Sequence, residues 1–144
     1  MKMTRGELLQ FIRGRSLAVQ ASVSPSGGPQ AAVVGFVVSS RLEIFFDTVE
    51  SSRKATNLRL EPRIAFVIGG FTNGDERTVQ YEGVADEPTG ADLQRLQRLY
   101  FRSFPDGRER LSWPDIRYIR TRPRWIRYSD YNQDPPTISE FDFR

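Results

Sequence analysis

Two apolar runs, LAVQASVS at residues 17–24 and QAAVVGFVV at residues 30–38, flank the turn cluster PSGGP. In the first, Leu17, Val19, Ala21 and Val23 recur at every second position. That period belongs to an extended strand with two unlike faces, and a helix cannot reproduce it. Glycine and proline between two such runs favour a hairpin. The pattern then repeats. LEIFFD (42–47), PRIAFVIGG (62–70) and RTVQYEGVADE (77–87) read as further strands, and SSR and FTNGDE as turns. IRYIRT and RWIRYSD read as short strand-like pieces near the end. Short antiparallel strands at close spacing predict a mainly β domain whose sheet closes into a barrel and so removes its edges.

Three helical segments interrupt the strands. Thr4 with Glu7 three residues later is a capping box ahead of Leu8, Leu9 and Ile12, and Gly14 ends that helix. Residues 51–60 form a short helix with Ser51 or Ser52 at its N-cap, stopped by Pro62. A third helix follows Pro88 and Thr89, with Leu93, Leu96, Tyr100 and Phe104 on one face. No repeat or long linker divides the 144 residues, which predicts one domain with a polar tail at 132–144.

Composition narrows the chemistry. The chain has no cysteine and no histidine, which excludes disulfides, thiolate catalysis, His-based triads and most zinc sites. No apolar run approaches the ~20 residues of a membrane span, and the N-terminus is polar, so the expectation is a soluble cytoplasmic protein. The net charge is +3, carried almost wholly by arginine; the only lysines are Lys2 and Lys54.

Lys54 lies in FFDTVESSRKATNLRLEPRIA, where a strand gives way to a helix start. Unpaired N–H groups at a helix N-terminus, the Ser52 hydroxyl, the Arg53 fork and the Lys54 ammonium together suit a phosphate. The same residues also fit an ordinary capped helix with solvated cations. The glycines of a P-loop or dinucleotide fingerprint are missing.

The pattern FFDT-x-x-x-SRK-x-x-NL-x-x-x-PR-x-A resembles the pyridoxamine 5'-phosphate oxidase-like, FMN-binding split-barrel family. The resemblance extends to GGPQAAVVGF upstream, then to TVQYEGVA and PRWIRYSD downstream. It implies a six-stranded antiparallel split barrel that pairs as a homodimer with FMN at the subunit interface. Arg53 and Lys54 match the residues that hold the FMN phosphate, and Thr48 and Ser52 match nearby hydroxyl contacts. Ala32, Val33, Val34 and Gly35 would present backbone groups along the flavin ring. Gln80, or Thr78 two residues earlier, would approach the ring, and Trp125 and Arg127 would reach across from the partner.

The resemblance breaks at the vitamin site. Phe104 follows the Tyr100–Phe101 pair where the oxidase has a phosphate-binding arginine, and the oxidase's substrate histidine has no counterpart. The implied activity is therefore FMN-dependent oxidation or reduction of another small molecule. A deazaflavin-binding reductase and a non-catalytic flavin or haem binder remain open, the last without the commonest haem ligand. A reading of another class comes from residues 108–127, where seven arginines are interleaved with Trp113, Tyr118 and Trp125, a footprint of single-stranded nucleic-acid binding.

Overall fold

A computed structural model describes residues 2–144. Helix α1 (Arg5–Arg13) opens the chain, and Thr4 and Glu7 form the expected capping box. Strands β1 (Leu17–Val23), β2 (Pro29–Gly35), β3 (Val37–Val38) and β4 (Ile44–Val49) follow. Next come α2 (Arg53–Leu60), β5 (Arg63–Gly69), β6 (Arg77–Asp86) and α3 (Gly90–Ser103). A 3-10 helix (Pro105–Ser112), β7 (Ile116–Asp130) and β8 (Thr137–Asp142) complete the chain.

All strand pairs are antiparallel, and the neighbour order is β2-β1-β5-β6-β7-β4-β3. The order begins and ends on strands separated in sequence by Phe36 alone. One bent segment thus supplies both ends of the sheet, which curls back on itself around the core. This is the mainly β, antiparallel split barrel that the sequence implies, with eight strands where six were expected.

The added strands have local causes. The run 30–38 is one strand in sequence, but the bend at Phe36 makes it two. The tail is not simply polar coil: residues 137–142 form β8 on β7, and Phe141 and Phe143 pack on the core. Conversely, IRYIRT and RWIRYSD merge into β7. Pro123 fits there because β7 changes neighbours beside it: β4 pairs up to Thr121, and pairing with β8 runs from Trp125, opposite Asp142, to Asp130. The proline's missing N–H therefore falls in a gap on that edge.

Strand β4 is apolar on both faces because both are covered. Ile44 and Phe46 face the barrel interior, where Phe46, Phe66 and Tyr81 pack edge to face. Phe45 faces outward beneath α3, against Tyr100, Tyr118 and Leu96.

A buried ion cluster ties α3 to this wall. Arg120, 5% exposed, reaches Asp86 at 2.8 Å, Asp92 at 3.3 Å and Glu43 at 3.5 Å. Arg95 also holds Glu43, at 2.9 Å. Burial pushes the Glu43 carboxyl up, but hydrogen bonds from Arg95 and Ser39 and the charges of Arg95 and Arg120 outweigh it, leaving a net depression. Arg120→Ala would open a void at the centre of the cluster, leaving Asp86 to exposed Arg122 and Glu43 to Arg95 and Ser39. The expected loss is about 3 kcal/mol, the lower end for a broken buried pair because both carboxylates keep a second arginine, seen as a Tm lower by roughly 10 °C in thermal melts.

Candidate functional site

The split in the barrel lies beside β2, and α2 fills it. Ser52 caps α2, its Oγ accepting from the Ala55 N–H at 3.2 Å and from Thr48 Oγ1 at 2.8 Å. Buried Asn57 fixes the helix to the barrel, donating from Nδ2 to Ser22 Oγ at 3.0 Å and Gln30 Oε1 at 2.9 Å. At the far end, Arg59 bridges Glu50 at 3.2 Å and Glu87 at 3.1 Å.

A cavity of about 140 Å³ lies between α2 and the inner side of β1 and β2, lined by Gln20, Ser22, Gln30, Ala31, Ala32, Arg53 and Lys54. No carboxylate lines it. Among the described residues, neither Arg53 nor Lys54 has an ion-pair partner, whereas five of the seven arginines at 108–127 have one. Burial lowers the Lys54 pKa from its ordinary value. Gln20 is 2% exposed, yet its Oε1 has no hydrogen-bond partner. An unsatisfied buried acceptor costs about 1–3 kcal/mol, so a donor entering the cavity would be stabilised at Gln20 Oε1. The volume is below the ~300 Å³ of small-molecule sites. It suits a phosphate-sized group whose remainder lies outside.

What lies outside is the free edge of β2. The Phe36 N–H donates to the Ser16 carbonyl at 3.0 Å, and the Ser24 N–H to the Gly28 carbonyl at 2.8 Å. With the β1–β2 register, this makes 18/34, 20/32 and 22/30 the hydrogen-bonded pairs. Ala31, Val33 and Gly35 therefore turn their N–H and C=O groups away from β1, along an edge with no strand beyond it. Of the four residues read as presenting backbone groups, Val33 and Gly35 do so at this edge, whereas Ala32 and Val34 bond to β1; Ala31 joins the edge unforeseen. The Phe104 ring closes the Gly35 end. A Cβ on Gly35 would lie 2.9 Å from it, and the ring stacks on Tyr100 at 4.9 Å between centroids.

Thr78, Gln80, Trp125 and Arg127 lie elsewhere. Pairing places Val33, Val19, Val67, Gln80, Arg127 and Glu140 in one row across the outer face of the sheet. At ~4.8 Å per strand, Gln80 stands roughly 14 Å from Val33. Thr78 and Trp125 share that outer face, whereas the phosphate-sized cavity opens on the inner one. Within one chain the two groups of residues therefore do not meet. The outer face is unusually apolar for exposed surface: Leu17 is 54% exposed, Val33 64% and Val67 41%. Buried Arg127 Nε and Ser129 Oγ have no partner there.

Sequence reading missed Gln20, Ser22 and Gln30, and quoted Asn57 in its pattern without a role. The signal was present in β1: Gln20 and Ser22 are polar on the side that faces inward, while the alternating apolar set Leu17, Val19, Ala21 and Val23 faces out.

An antiparallel split barrel with a cationic helix start beside the free edge of β2 defines the class by its fold. More particularly, a model of the pyridoxamine 5'-phosphate oxidase family matches residues 4–130, and the chain belongs to that family. No curated protein matches the sequence. Among solved structures, a haem-binding protein from Mycobacterium smegmatis superposes with a TM-score of 0.84 at 16% identity; the match covers 99% of this chain and 59% of that one. HutZ, the haem storage protein of Vibrio cholerae, gives 0.72 at 18% identity, covering 85% and 91%. General Stress Protein 26 of Bacillus anthracis gives 0.72 at 20%, covering 95% and 98%. At these identities the likeness is one of fold.

Proposed function

We propose that this chain binds FMN as half of a homodimer and serves as an oxidoreductase for a small molecule other than pyridoxamine phosphate. The observation that carries the reading is the cavity at α2, with two unpaired cations and an orphaned buried acceptor, opening on the free edge of β2. Bound flavin would supply the electron-pair exchange. The chain's own residues bind and orient it. Arg53, Lys54 and Ser52 hold the phosphate by charge-assisted bonds. Gln20 Oε1 accepts from a hydroxyl of the linking chain. The backbone groups of Val33 and Gly35 fix the polar rim of the ring, and Phe104 walls off one end. Thr78, Gln80, Trp125 and Arg127 complete the site from a second copy, since within one chain they lie on the other face. Phe104 stacked on Tyr100 offers a substrate phosphate nothing to bind, which supports a substrate without one.

A second reading, haem binding, is favoured by the haem-related names of two structural neighbours. Histidine, the commonest axial ligand, is missing from the chain. The deciding experiment is an absorption spectrum of the purified protein, followed by mass analysis of what denaturation releases. A flavin band with the mass of FMN is expected. A Soret band with haem mass gives the second reading, and a deazaflavin mass changes the cofactor within the first. A colourless protein that takes up no added FMN overturns the proposal.

A further inference from the structure

A second cavity, of about 310 Å³, lies where β2 bends into β3, between the end of α1 and α3. It shares no lining residue with the cavity at α2. Its apolar lining is Phe36, Val37, Val38 and Leu99, and its polar rim is Arg13, Arg15, Ser16 and Ser103. No carboxylate lines it. Arg15 is engaged, lying over the Phe11 ring at 4.2 Å and near Asp75 at 3.4 Å. Among the described residues, Arg13 has no ion pair, and the Ser16 and Ser103 hydroxyls make no hydrogen bond.

The volume falls at the lower end of small-molecule sites, ~300–1,000 Å³, and the lining is evenly divided, with four apolar side chains on one side and two arginines and two serines on the other. An apolar body in the cavity would cover half-buried Leu99 and pack against Phe36, Val37 and Val38, which are already buried, while a negative head would meet Arg13 and the two hydroxyls. A cationic head would face two arginines with no nearby carboxylate on the lining. We infer that this cavity binds a small amphipathic anion, an aromatic or branched aliphatic carboxylate, independently of the cofactor site.

Two probes that differ only in the head group test this: 4-phenylbutyrate and the neutral 4-phenyl-1-butanol, titrated into the full-length protein by calorimetry. The acid is expected to bind more tightly than the alcohol by at least about tenfold, the worth of one charge-assisted hydrogen bond. Arg13→Gln, at an exposed position, should bring the acid down to the level of the alcohol. Ser103→Trp, also exposed, should fill the cavity and abolish binding of both. Arg53→Ala with Lys54→Ala should leave phenylbutyrate affinity unchanged. Equal affinity for acid and alcohol overturns the inference, as does failure of both to bind at millimolar concentration. Full binding by folded Ser103→Trp also overturns it. Loss of binding in the Arg53/Lys54 variant places the probe in the cofactor cavity instead and sinks the inference. Should Ser103→Trp lose its native circular dichroism, the Arg13→Gln comparison decides alone.

Discussion

Replacing Arg53 and Lys54 together with alanine is expected to raise the dissociation constant for FMN by about 10²–10⁴-fold while the fold stays intact. Each cation offers a phosphate charge-assisted hydrogen bonds worth roughly 1.5–3 kcal/mol, and two such losses span that range. Neither side chain stabilises the protein through an ion pair, so nothing in the barrel is left unpaired by their removal. Burial lowers the Lys54 pKa from its ordinary value, so its ammonium is penalised in the free protein and a bound anion would offset that penalty. Unfolding curves of the apoprotein should accordingly be unchanged or shifted slightly upward. Fluorescence titration with FMN measures the affinity, and riboflavin, which lacks the phosphate, provides the control. Wild type and variant should bind riboflavin alike. If the variant retains FMN as tightly as wild type, the phosphate is not held at α2.

The sequence and the structure part company at places that have physical reasons. The strand-to-helix junction was legible because capping chemistry and clustered cations are local: Thr48, Ser52, Arg53 and Lys54 are close in sequence and stay close in space. Gln20, Ser22 and Gln30 join them only through strand pairing and helix packing, which no local pattern encodes, whereas Asn57 lies in the quoted pattern itself. The bend at Phe36 was hidden because an apolar run looks the same whether straight or folded over. The tail was hidden for the opposite reason. Strand β8 is an edge strand with Glu140 and Asp142 facing water, and its apolar residues are few. The arginine-rich stretch suggested a polyanion partner, yet Arg110, Arg117, Arg120, Arg122 and Arg127 each lie beside a carboxylate distant in sequence. The alternation of Leu17, Val19, Ala21 and Val23 was easy to see, but its direction was not. These residues face outward. That orientation makes sense if another surface covers them, and here the sequence pattern bears on assembly.

Val67→Asp should convert the proposed dimer into a monomer and remove the proposed FMN with it, although Val67 touches no part of the cavity at α2. Val67 lies in the outer-face row between Val19 and Gln80 and is 41% exposed in the single chain. In a two-fold interface the same patch is used by both copies, so one substitution places two carboxylates in the contact. Each would be desolvated without a partner, at a cost of several kcal/mol. That exceeds the ~2 kcal/mol that marks a hot spot, and dimer dissociation should rise at least about 30-fold. The single chain should tolerate the change, because the side chain already faces water there and exposed substitutions move stability by about ±0.5 kcal/mol. Light scattering reads the mass, circular dichroism the fold, and absorbance the retained flavin. The three readouts separate the alternatives. A folded monomer without flavin is the expected result, since Thr78, Gln80, Trp125 and Arg127 of a second copy could no longer close the site. A folded monomer that keeps FMN would mean that Arg53, Lys54 and the β2 edge suffice alone. A variant that remains a flavin-bound dimer would place the interface on another face, and the apolar row through Val33, Val19 and Val67 would then need a different partner.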